Sequence, residues 1–372
     1  RGLRDRMEEA KFFFNTDCGI KLEARVADLS KVLLQAKLGS MLNKVECIVA
    51  LCGWFGTQLD YVENEQADIM RAARLCKADL VSGMVVEFPK LQGIMGRVYA
   101  LNDGESIAVG TAIEEHYMPT YSGGGLPESR IGALLAIADK IDTICGCFSA
   151  GLIPTGAADP YAMRRQSIGI LQIIRKFNFN FKLQDLVVQS LAAFNCSVNE
   201  VVLKVMDFLQ ARFQRILEEE GYAKDVIAAV LSANFNDVAD AELRVKALDE
   251  FKTKHYFEAL AATFKRVVNI LRKAEMKDVL PVNAAKLSDE AEQHLWEAVS
   301  DVKAEAEAHV QKQEYEAALL AIANIRAAVD GFFDDVMVMA EDEAVRSNRL
   351  ALLSQVGGLF RNIADFSKIS TQ

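Results

Sequence analysis

GLIPTGAADPYAMRRQS, residues 151–167, separates two apolar helical patterns and sets the architecture around it. The stretch holds two of the six prolines in the chain, and each proline fixes its own φ and biases the preceding residue toward extended backbone. We expect Asp159 to cap a helix near 160–176, with Pro160 at its first position. A plain linker does not need Arg164 and Arg165 one turn into that helix, so the two arginines require an explanation.

Nearly every other segment has apolar residues at helical spacing, and alternating strand patterns are rare. The sequence therefore predicts an all-α fold. Glycine becomes sparse after about residue 180 while Ala, Glu and Lys rise, which favours three parts: a helical domain over 1–180, a helical connector over 181–235 and a helical bundle over 236–372. The predicted helices lie near 4–14, 21–37, 40–52, 65–86, 90–100, 105–117, 129–148, 160–176, 183–194, 198–220, 222–232, 236–250, 254–276, 288–309, 313–341 and 343–364.

The composition places limits on function. The chain has 372 residues, of which 51% are hydrophobic, and a net charge of −10, which argues against nonspecific coating of nucleic acid. Residues 1–200 carry 21 basic and 23 acidic side chains, whereas residues 201–372 carry 21 and 29.

The seven cysteines favour reduced thiols in a cytoplasmic protein. We expect no membrane partner, because no apolar run approaches the roughly 18 residues that span a bilayer. The chain begins with Arg1 rather than Met, which favours a segment of a longer protein.

A first group of candidate site residues comes from AARLCKADL (72–80), AIEEHYMP (112–119) and AIADKIDTI (136–144). Their order over residues 40–150 resembles the HD superfamily of helical metal-dependent phosphohydrolases, which place a His, a His-Asp doublet and a distant Asp around metal ions. The metal ligands of that superfamily are not present here. The position of the His-Asp doublet is occupied by Cys-Lys-Ala-Asp (76–79), and the position of the upstream His by Lys44 or Glu46. An ammonium at that position repels a cation, so we expect no metal site, with His116, Asp139 and Asp142 as remnant positions. A weak Mg²⁺ site and a surface that faces RNA stay open as alternatives.

A second group lies in AATFKRVVNILRKAEMKD (261–278), where one helical face is apolar and the opposite face basic. The apolar face carries Phe264, Val267, Val268 and Leu271, and the basic face carries Arg266, Lys273 and Lys277. Residues 261–286 hold six basic and two acidic groups, a local excess typical of a surface that binds phosphates. An ordinary solvated helix face is the alternative. A third group is the basic second member of a helix pair over 332–368, with Arg346, Arg349 and Arg361.

Three ordered stretches resemble the β subunit of bacterial-type glycyl-tRNA synthetase. They are MRAARLCKADLVSGMVVEFPKLQGIMGRVYA (70–100), GLIPTGAADPYAMRRQSIGILQII (151–174) and FFDDVMVMAEDEAVRSNRLALL (332–353), with FKRVVNIL (264–271) in support. The resemblance implies an α₂β₂ ligase that joins glycine to tRNA(Gly). In it the α subunit carries the aminoacylation site and uses ATP and Mg²⁺, while the β subunit binds tRNA and no cofactor. It also implies an HD-like domain followed by an all-helical anticodon-binding domain.

The resemblance gives the basic residues an expected role. Arg forks bind phosphate in a bidentate way, so Arg164 and Arg165, with Arg97 of QGIMGR, are expected to face tRNA or the partner subunit. An intramolecular salt bridge to Asp159 or Asp139 is the alternative for the pair. In the C-terminal domain the expected phosphate contacts are Arg266, Lys273, Arg346, Arg349 and Arg361. Phe332 and Phe333 are expected in the core rather than stacked on bases.

Three functions therefore compete: a tRNA-binding ligase subunit with no catalysis in this chain and no DNA partner, an HD-type metal-dependent phosphohydrolase, and a helical scaffold that only holds a partner. The missing His-Asp doublet favours the first over the second, and tRNA binding separates the first from the third.

Overall fold

A computed structural model describes residues 2–61, 64–276 and 278–370, and for residues 3–5 it describes the backbone alone. The fold is all-α, as predicted, and within the described residues its one sheet is a two-stranded hairpin. The chain divides into two compact units, residues 1–213 and 214–372. The predicted boundaries at 180 and 235 stay predictions.

The helices from the amino terminus onward are α1 (Leu3–Asp17), α2 (Leu22–Val26), α3 (Met41–Gln58), α4 (Glu65–Leu75), α5 (Gly83–Glu87), α6 (Ile94–Asn102), α7 (Ile107–Glu115), α8 (Arg130–Ser149), α9 (Met163–Phe177), α10 (Leu183–Leu191) and α11 (Val198–Glu219). Strands β1 (Leu33–Gln35) and β2 (Gly39–Ser40) pair antiparallel before α3. Short 3₁₀ turns occupy Ala27–Lys31, Ala78–Val81 and Pro89–Leu91.

The second unit contains α12 (Lys224–Ala233), α13 (Val238–Phe251), α14 (Phe257–Lys273), α15 (Glu290–Gln311), α16 (Tyr315–Ala323), α17 (Arg326–Asp335) and α18 (Glu343–Arg361), with 3₁₀ turns at Ala284–Lys286 and Phe366–Lys368. Within the described residues, no helix combines the length and the apolar character that crossing a membrane requires.

Helix α8 is the centre of the first unit. All but one of its residues from Ile131 to Phe148 are buried, and α3, α4, α7, α9 and α10 pack around it. A helix that is buried on every face lies in a core rather than on a surface. Its charged residues Asp139, Lys140 and Asp142 are therefore buried with it and need partners from the surrounding helices.

The start of α9 differs from the prediction. The helix begins at Met163 rather than Pro160, and Ala162 before it has a φ of +52°. The Asp159 carboxylate nevertheless accepts the N–H groups of Met163 and Arg164, at 2.8 and 3.0 Å. The capping prediction was therefore wrong about the first helical residue but right about the acidic side chain, which reaches across an intervening turn.

Three long predicted helices are broken in the structure. The region predicted as 21–37 is α2, a 3₁₀ turn and β1, and Gly39, with a φ of +85°, lies in the hairpin. The region predicted as 65–86 divides into α4, a 3₁₀ turn and α5, because the Ser82 hydroxyl accepts the N–H of Val85 and caps a new helix. The region predicted as 313–341 divides into α16 and α17.

The core of the second unit contains an aromatic cluster and a buried arginine. Phe264 of α14 stacks on Phe360 of α18 with ring centroids 4.6 Å apart, and both rings contact Phe366. Arg244 of α13 is 1% exposed and donates to Asp240 and to the carbonyl oxygens of Val230, Asn234 and Ile363. These bonds tie the end of α12 and the segment after α18 to α13.

Candidate functional site

A buried group of charges lies where α3 and the turn after α4 meet α8. The Lys44 ammonium lies 2.8 Å from an Asp142 carboxylate oxygen and 3.1 Å from one of Asp139, and it also donates to the Thr143 hydroxyl at 2.8 Å. The Lys77 ammonium donates to the other Asp139 oxygen at 3.0 Å. The Asp139 carboxylate thus lies between two ammonium groups. We call Lys44, Lys77, Asp139, Lys140 and Asp142 the buried charge cluster.

The charges of this cluster stabilise one another. Burial alone raises the pKa of Asp139, but Lys44 and Lys77 outweigh it and hold that pKa well below its ordinary value. Burial likewise lowers the pKa of Lys44, and the carboxylates of Asp139 and Asp142 reverse the effect and raise it. Asp139 and Lys44 are therefore both ionised at neutral pH.

These residues do not fit a divalent metal ion. The two carboxylates at the remnant positions Asp139 and Asp142 are occupied by ammonium groups, which repel a cation. The third remnant position, His116, is fully buried, and its Nδ1 lies 2.5 Å from the Ile113 carbonyl oxygen. Within the described part of the chain, no group of three or more His, Cys, Asp or Glu side chains is arranged to hold a metal ion.

Two further groups near the cluster have shifted pKa values. Burial lowers the pKa of Lys140 to about 7, and the nearby positive charges of Lys77 and Lys44 act in the same direction. Burial raises the pKa of Asp79 to about 6, although its carboxylate accepts the N–H groups of Gly93 and Gly96 at 2.6 and 3.0 Å and so caps α6. Burial, with Lys77 next, lowers the pKa of His116 well below its ordinary value, so its ring is neutral.

The arginines of the first unit have different surroundings. Arg97 pairs with Glu114 at 2.6 Å, with 44% of its side chain exposed. Arg165 is exposed and Arg164 half-buried, and no carboxylate in the described ranges pairs with either. The Asp159 carboxylate, proposed above as a salt-bridge partner, contacts helix backbone N–H groups instead. Both guanidinium groups are therefore available to an anion.

The predicted basic face of α14 lies on the surface. Arg266 and Lys273 are exposed, while Phe264, Val267 and Leu271 are buried, which confirms most of the predicted apolar face. The fourth apolar position, Val268, is half-buried. The Arg266 guanidinium lies 4.1 Å from the centroid of the Phe333 ring. Lys277 lies outside the described residues.

The three arginines of α18 differ in availability. Arg349 is held inside the unit: its guanidinium donates to Glu292 at 2.5 Å, to Asp289 at 2.6 Å and to the Met337 carbonyl oxygen at 2.9 Å. Arg346 donates to the Ala340 carbonyl oxygen at 3.1 Å. Arg361 lines a surface cavity between α14 and α18 together with Arg272. Their contacts with tRNA stay predictions. Phe332 and Phe333 are 0% and 8% exposed, which confirms their place in the core.

Sequence reasoning missed two features of the first unit. Lys140 was not singled out, although its place between Asp139 and Asp142 on a helix with almost no polar face indicates burial. The pairing of Lys44 and Lys77 with a single carboxylate was also missed. The signal for it was in the sequence, since two lysines stand where metal ligands of the resembled superfamily would stand, close to carboxylates that need a positive partner.

Comparison with known proteins gives the class of this chain and then its family. Residues 260–371 match a family model described as the DALR anticodon binding domain, which places this part of the second unit in the class of helical anticodon-binding domains. Residues 1–232 match the model described as Glycyl-tRNA synthetase beta subunit. The chain belongs to the glycyl-tRNA synthetase beta subunit family, which confirms the resemblance seen in the sequence.

Individual relatives agree with this assignment. The chain is 47% identical over 374 residues to the glycine–tRNA ligase beta subunit of Trichlorobacter lovleyi, covering 100% of this chain and 54% of the relative. It is 48% identical over 370 residues to that of Desulforapulum autotrophicum, with 99% and 54% covered, and 48% over 374 residues to that of Geotalea uraniireducens, with 100% and 54% covered. The chain thus spans about half the length of the curated relatives it matches.

Proposed function

We propose that this chain is the tRNA-binding part of the β subunit of a heterotetrameric glycine–tRNA ligase. In this proposal the chain binds tRNA(Gly), while the α subunit carries the aminoacylation site and uses ATP and Mg²⁺. The chain itself binds neither cofactor, has no DNA or membrane partner and acts in the cytoplasm.

The order of the two matched family models along the chain carries the proposal. A beta-subunit match over residues 1–232 precedes an anticodon-binding match over residues 260–371. The relatives are named as the beta subunit of a ligase, which supports an α partner.

Exposed cations supply the phosphate contacts. Arg165, Arg266 and Lys273 are exposed, Arg164 is half-buried, and none of the four has a carboxylate partner within the ranges that the structure describes. The 372 residues together have a net charge of −10, so RNA binding by this chain has to rely on local basic surfaces of this kind. Arg97 and Arg346 belong to the proposal as secondary contacts, because each already has one partner.

Binding of tRNA by the 372-residue protein tests the proposal directly. We expect tRNA(Gly) to bind more tightly than a non-cognate tRNA across a salt series, and duplex DNA of equal charge not to compete. The affinity should fall with a log–log slope of about −0.7 to −0.9 per phosphate contacted. Equal affinity for both tRNAs and the DNA would contradict the proposal and favour nonspecific binding. Undetectable binding at low salt would favour the scaffold alternative.

A charge reversal tests the arginine pair. We expect Arg164→Glu with Arg165→Glu to weaken tRNA(Gly) binding by at least about tenfold, because charge-assisted contacts are lost and repulsion is gained. The slope of affinity against salt should also become shallower. Lys11→Glu with Lys21→Glu is the matched control, since it changes the same charge at two other exposed positions of the first unit. Unchanged affinity and slope in the arginine variant would remove the pair from the interface.

The α partner needs a separate measurement. Co-expression with a family α subunit, followed by sedimentation velocity, should show a complex that contains both chains. Glycylation of tRNA(Gly) by that complex, with ATP and Mg²⁺, measures the proposed activity. Absence of a complex at micromolar concentration would contradict the α partner without affecting the tRNA result.

A further inference from the structure

A cavity of about 590 Å³ opens beside the buried charge cluster in the first unit, and its lining is strongly cationic. Five basic side chains and one carboxylate contribute to the wall, namely Lys44, Lys77, Lys90, Lys140, Arg165 and Asp139. A cavity of this volume is within the range that binds small molecules. The sign of its lining indicates an anionic ligand.

The floor of the cavity keeps unused hydrogen-bond donors. An ammonium group has three N–H donors. Lys77 donates to Asp139, and its ammonium lies 4.1 Å from the centroid of the Tyr117 ring. Lys140 donates to the His116 carbonyl oxygen at 3.0 Å. Each of these two lysines therefore has donors left for a ligand, whereas Lys44 is occupied by Asp139, Asp142 and Thr143.

The mouth of the cavity has two further cations. Lys90 and Arg165 are exposed, and neither pairs with a carboxylate among residues 2–61, 64–276 and 278–370. They come from separate elements, the 3₁₀ turn Pro89–Leu91 and helix α9. Cations at the mouth and in the floor can contact one ligand from two sides.

An independent observation also points to a ligand. Tyr117 belongs to the cavity lining, and its buried hydroxyl has no hydrogen-bond partner within the described residues. A buried polar group without a partner costs free energy, and such sites commonly hold a water, an ion or a ligand. Tyr117 can donate its O–H to an acceptor that occupies the cavity.

Lys140 is the lysine of the cluster without a carboxylate partner among the described residues. Lys44 and Lys77 contact the carboxylates of Asp139 and Asp142, whereas Lys140 donates to the His116 carbonyl oxygen. Burial lowers the pKa of Lys140 to about 7, and the positive charges of Lys77, Lys44 and Arg165 act in the same direction. A dianion beside Lys77 and Lys140 would favour the protonated form of Lys140.

We propose that this cavity binds a phosphate monoester, with the phosphate dianion held by Lys77, Lys140, Arg165 and the Tyr117 hydroxyl. Its three terminal oxygens and double negative charge match these cationic donors, whereas a carboxylate has two oxygens and a single charge. The remaining volume accepts the organic group of the ester. The ester is either a small phosphorylated molecule or the terminal phosphate of an RNA chain. The site goes beyond the proposed tRNA binding and is testable without tRNA.

Inorganic phosphate is the first probe. Calorimetric titration of the 372-residue protein at pH 7.5, at an ionic strength held constant with NaCl, should show saturable binding at one site. The melting temperature should rise with phosphate concentration, because a ligand that binds only the folded state stabilises it. No saturable binding, or an equal response to chloride, would overturn the proposal.

Neighbouring arginines provide a matched pair of variants. Arg165→Ala should weaken phosphate binding about tenfold, as expected for one charge-assisted contact, whereas Arg164→Ala should stay within about twofold because Arg164 does not line the cavity. Lys90→Ala provides a second variant at an exposed position. Lys140→Gln should abolish saturable binding, with circular dichroism as the check of folding. If Lys140→Gln fails to fold, the test rests on the two variants at the mouth of the cavity, Lys90→Ala and Arg165→Ala. Equal weakening of phosphate binding by Arg164→Ala and Arg165→Ala would refute the site.

Two oligoribonucleotides distinguish the sources of the ester. A 5′-phosphorylated oligomer that competes with inorganic phosphate, while its 5′-hydroxyl counterpart does not, identifies an RNA end. Competition by a small sugar phosphate and by neither oligomer identifies a small molecule. Equal competition by both oligomers indicates backbone binding and contradicts a monoester site.

Discussion

At the scale of single residues, the first unit depends on an ammonium–carboxylate arrangement in its core. Lys77 and Lys44 contact opposite oxygens of Asp139, and Lys44 also neutralises Asp142. Groups of this kind cost desolvation energy and are stable only while every charge keeps its partner. Removal of one lysine therefore leaves a buried carboxylate with too little positive charge.

Lys77→Met tests this dependence. We expect the variant to lose about 3–5 kcal/mol of unfolding free energy, the magnitude for breaking a buried ion pair by removing one partner. Urea denaturation followed by circular dichroism measures the change. Lys31→Met is the control, because its ion pair with Asp28 lies on the surface, and it should leave the urea midpoint unchanged. Equal midpoints for Lys77→Met and the parent protein would show that the cluster does not stabilise the unit.

The lowered pKa of Lys140 predicts that the stability of the folded protein depends on pH. This pKa is about 7 in the folded protein and about 10.4 in an unfolded chain. Between these values the unfolded state binds more protons, so the contribution of Lys140 to stability rises as the pH increases from about 7 to about 10. Lys44, Lys77, Asp139, His116 and Arg165 face the same group and are unchanged in the comparison.

The difference between the parent and Lys140→Met isolates this contribution. Urea unfolding at pH 6.5, 8 and 9.5 should show the parent gaining stability relative to the variant as the pH rises. A constant difference across this range would mean that Lys140 keeps an ordinary pKa in the folded protein.

The residue scale also shows how far the sequence predicts the site. The sequence alone shows that Lys44 and Lys77 stand where the resembled superfamily has histidine ligands. Arg349 shows the limit, because its three partners come from two segments distant in sequence, and no local pattern distinguishes a guanidinium in the core from one that meets phosphate. Phe332 and Phe333 were predictable because they precede an apolar run.

At the scale of elements, the QGIMGR turn and helix α6 require the backbone at Gly96 to lie close to α7 and to the Asp79 carboxylate. Asp79 caps α6 through the N–H groups of Gly93 and Gly96. A Cβ atom on Gly96 would lie 2.6 Å from Ile113 Cγ2 and 3.1 Å from Asp79 Oδ2. Glycine at this position therefore allows α6 and α7 to pack and the cap to form.

Gly96→Ala should accordingly destabilise the protein by about 1–3 kcal/mol, as overpacking of a core contact does. Gly331→Ala is the matched control in α17, where a Cβ meets nothing within 4 Å. That control should instead stabilise by about 0.5–1 kcal/mol through the higher helix propensity of alanine. Thermal or urea unfolding of the two variants gives the comparison. Destabilisation of equal size by both substitutions would contradict the contact argument.

Element boundaries were predictable where a local signal sets them. Helices α8, α11 and α18 begin within one residue of the predicted positions, and the Ser129 and Asp342 side chains cap the starts of α8 and α18. The hairpin of β1 and β2 was missed, because its strands are three and two residues long and too short to show alternation. Asp159 was recognised as a cap, but the turn that separates it from α9 was not.

At the scale of the whole molecule, each compact unit has its own core and its own internal charge network. Trp54 of α3 lies in the first unit, and Trp296 of α15 lies in the second. These are the two tryptophans of the chain. Fluorescence of single-tryptophan variants can therefore report on each unit separately.

A pair of core substitutions makes this assignment testable. In a Trp296→Phe background, Lys77→Met should lower the urea midpoint reported by Trp54, because the buried charge cluster belongs to residues 1–213. In a Trp54→Phe background, Arg244→Met should lower the urea midpoint reported by Trp296, because Arg244 is fully buried and paired. The expected loss of unfolding free energy is about 3–5 kcal/mol. An unchanged Trp54 midpoint for Lys77→Met, or an unchanged Trp296 midpoint for Arg244→Met, would show that these clusters do not stabilise the units that contain them.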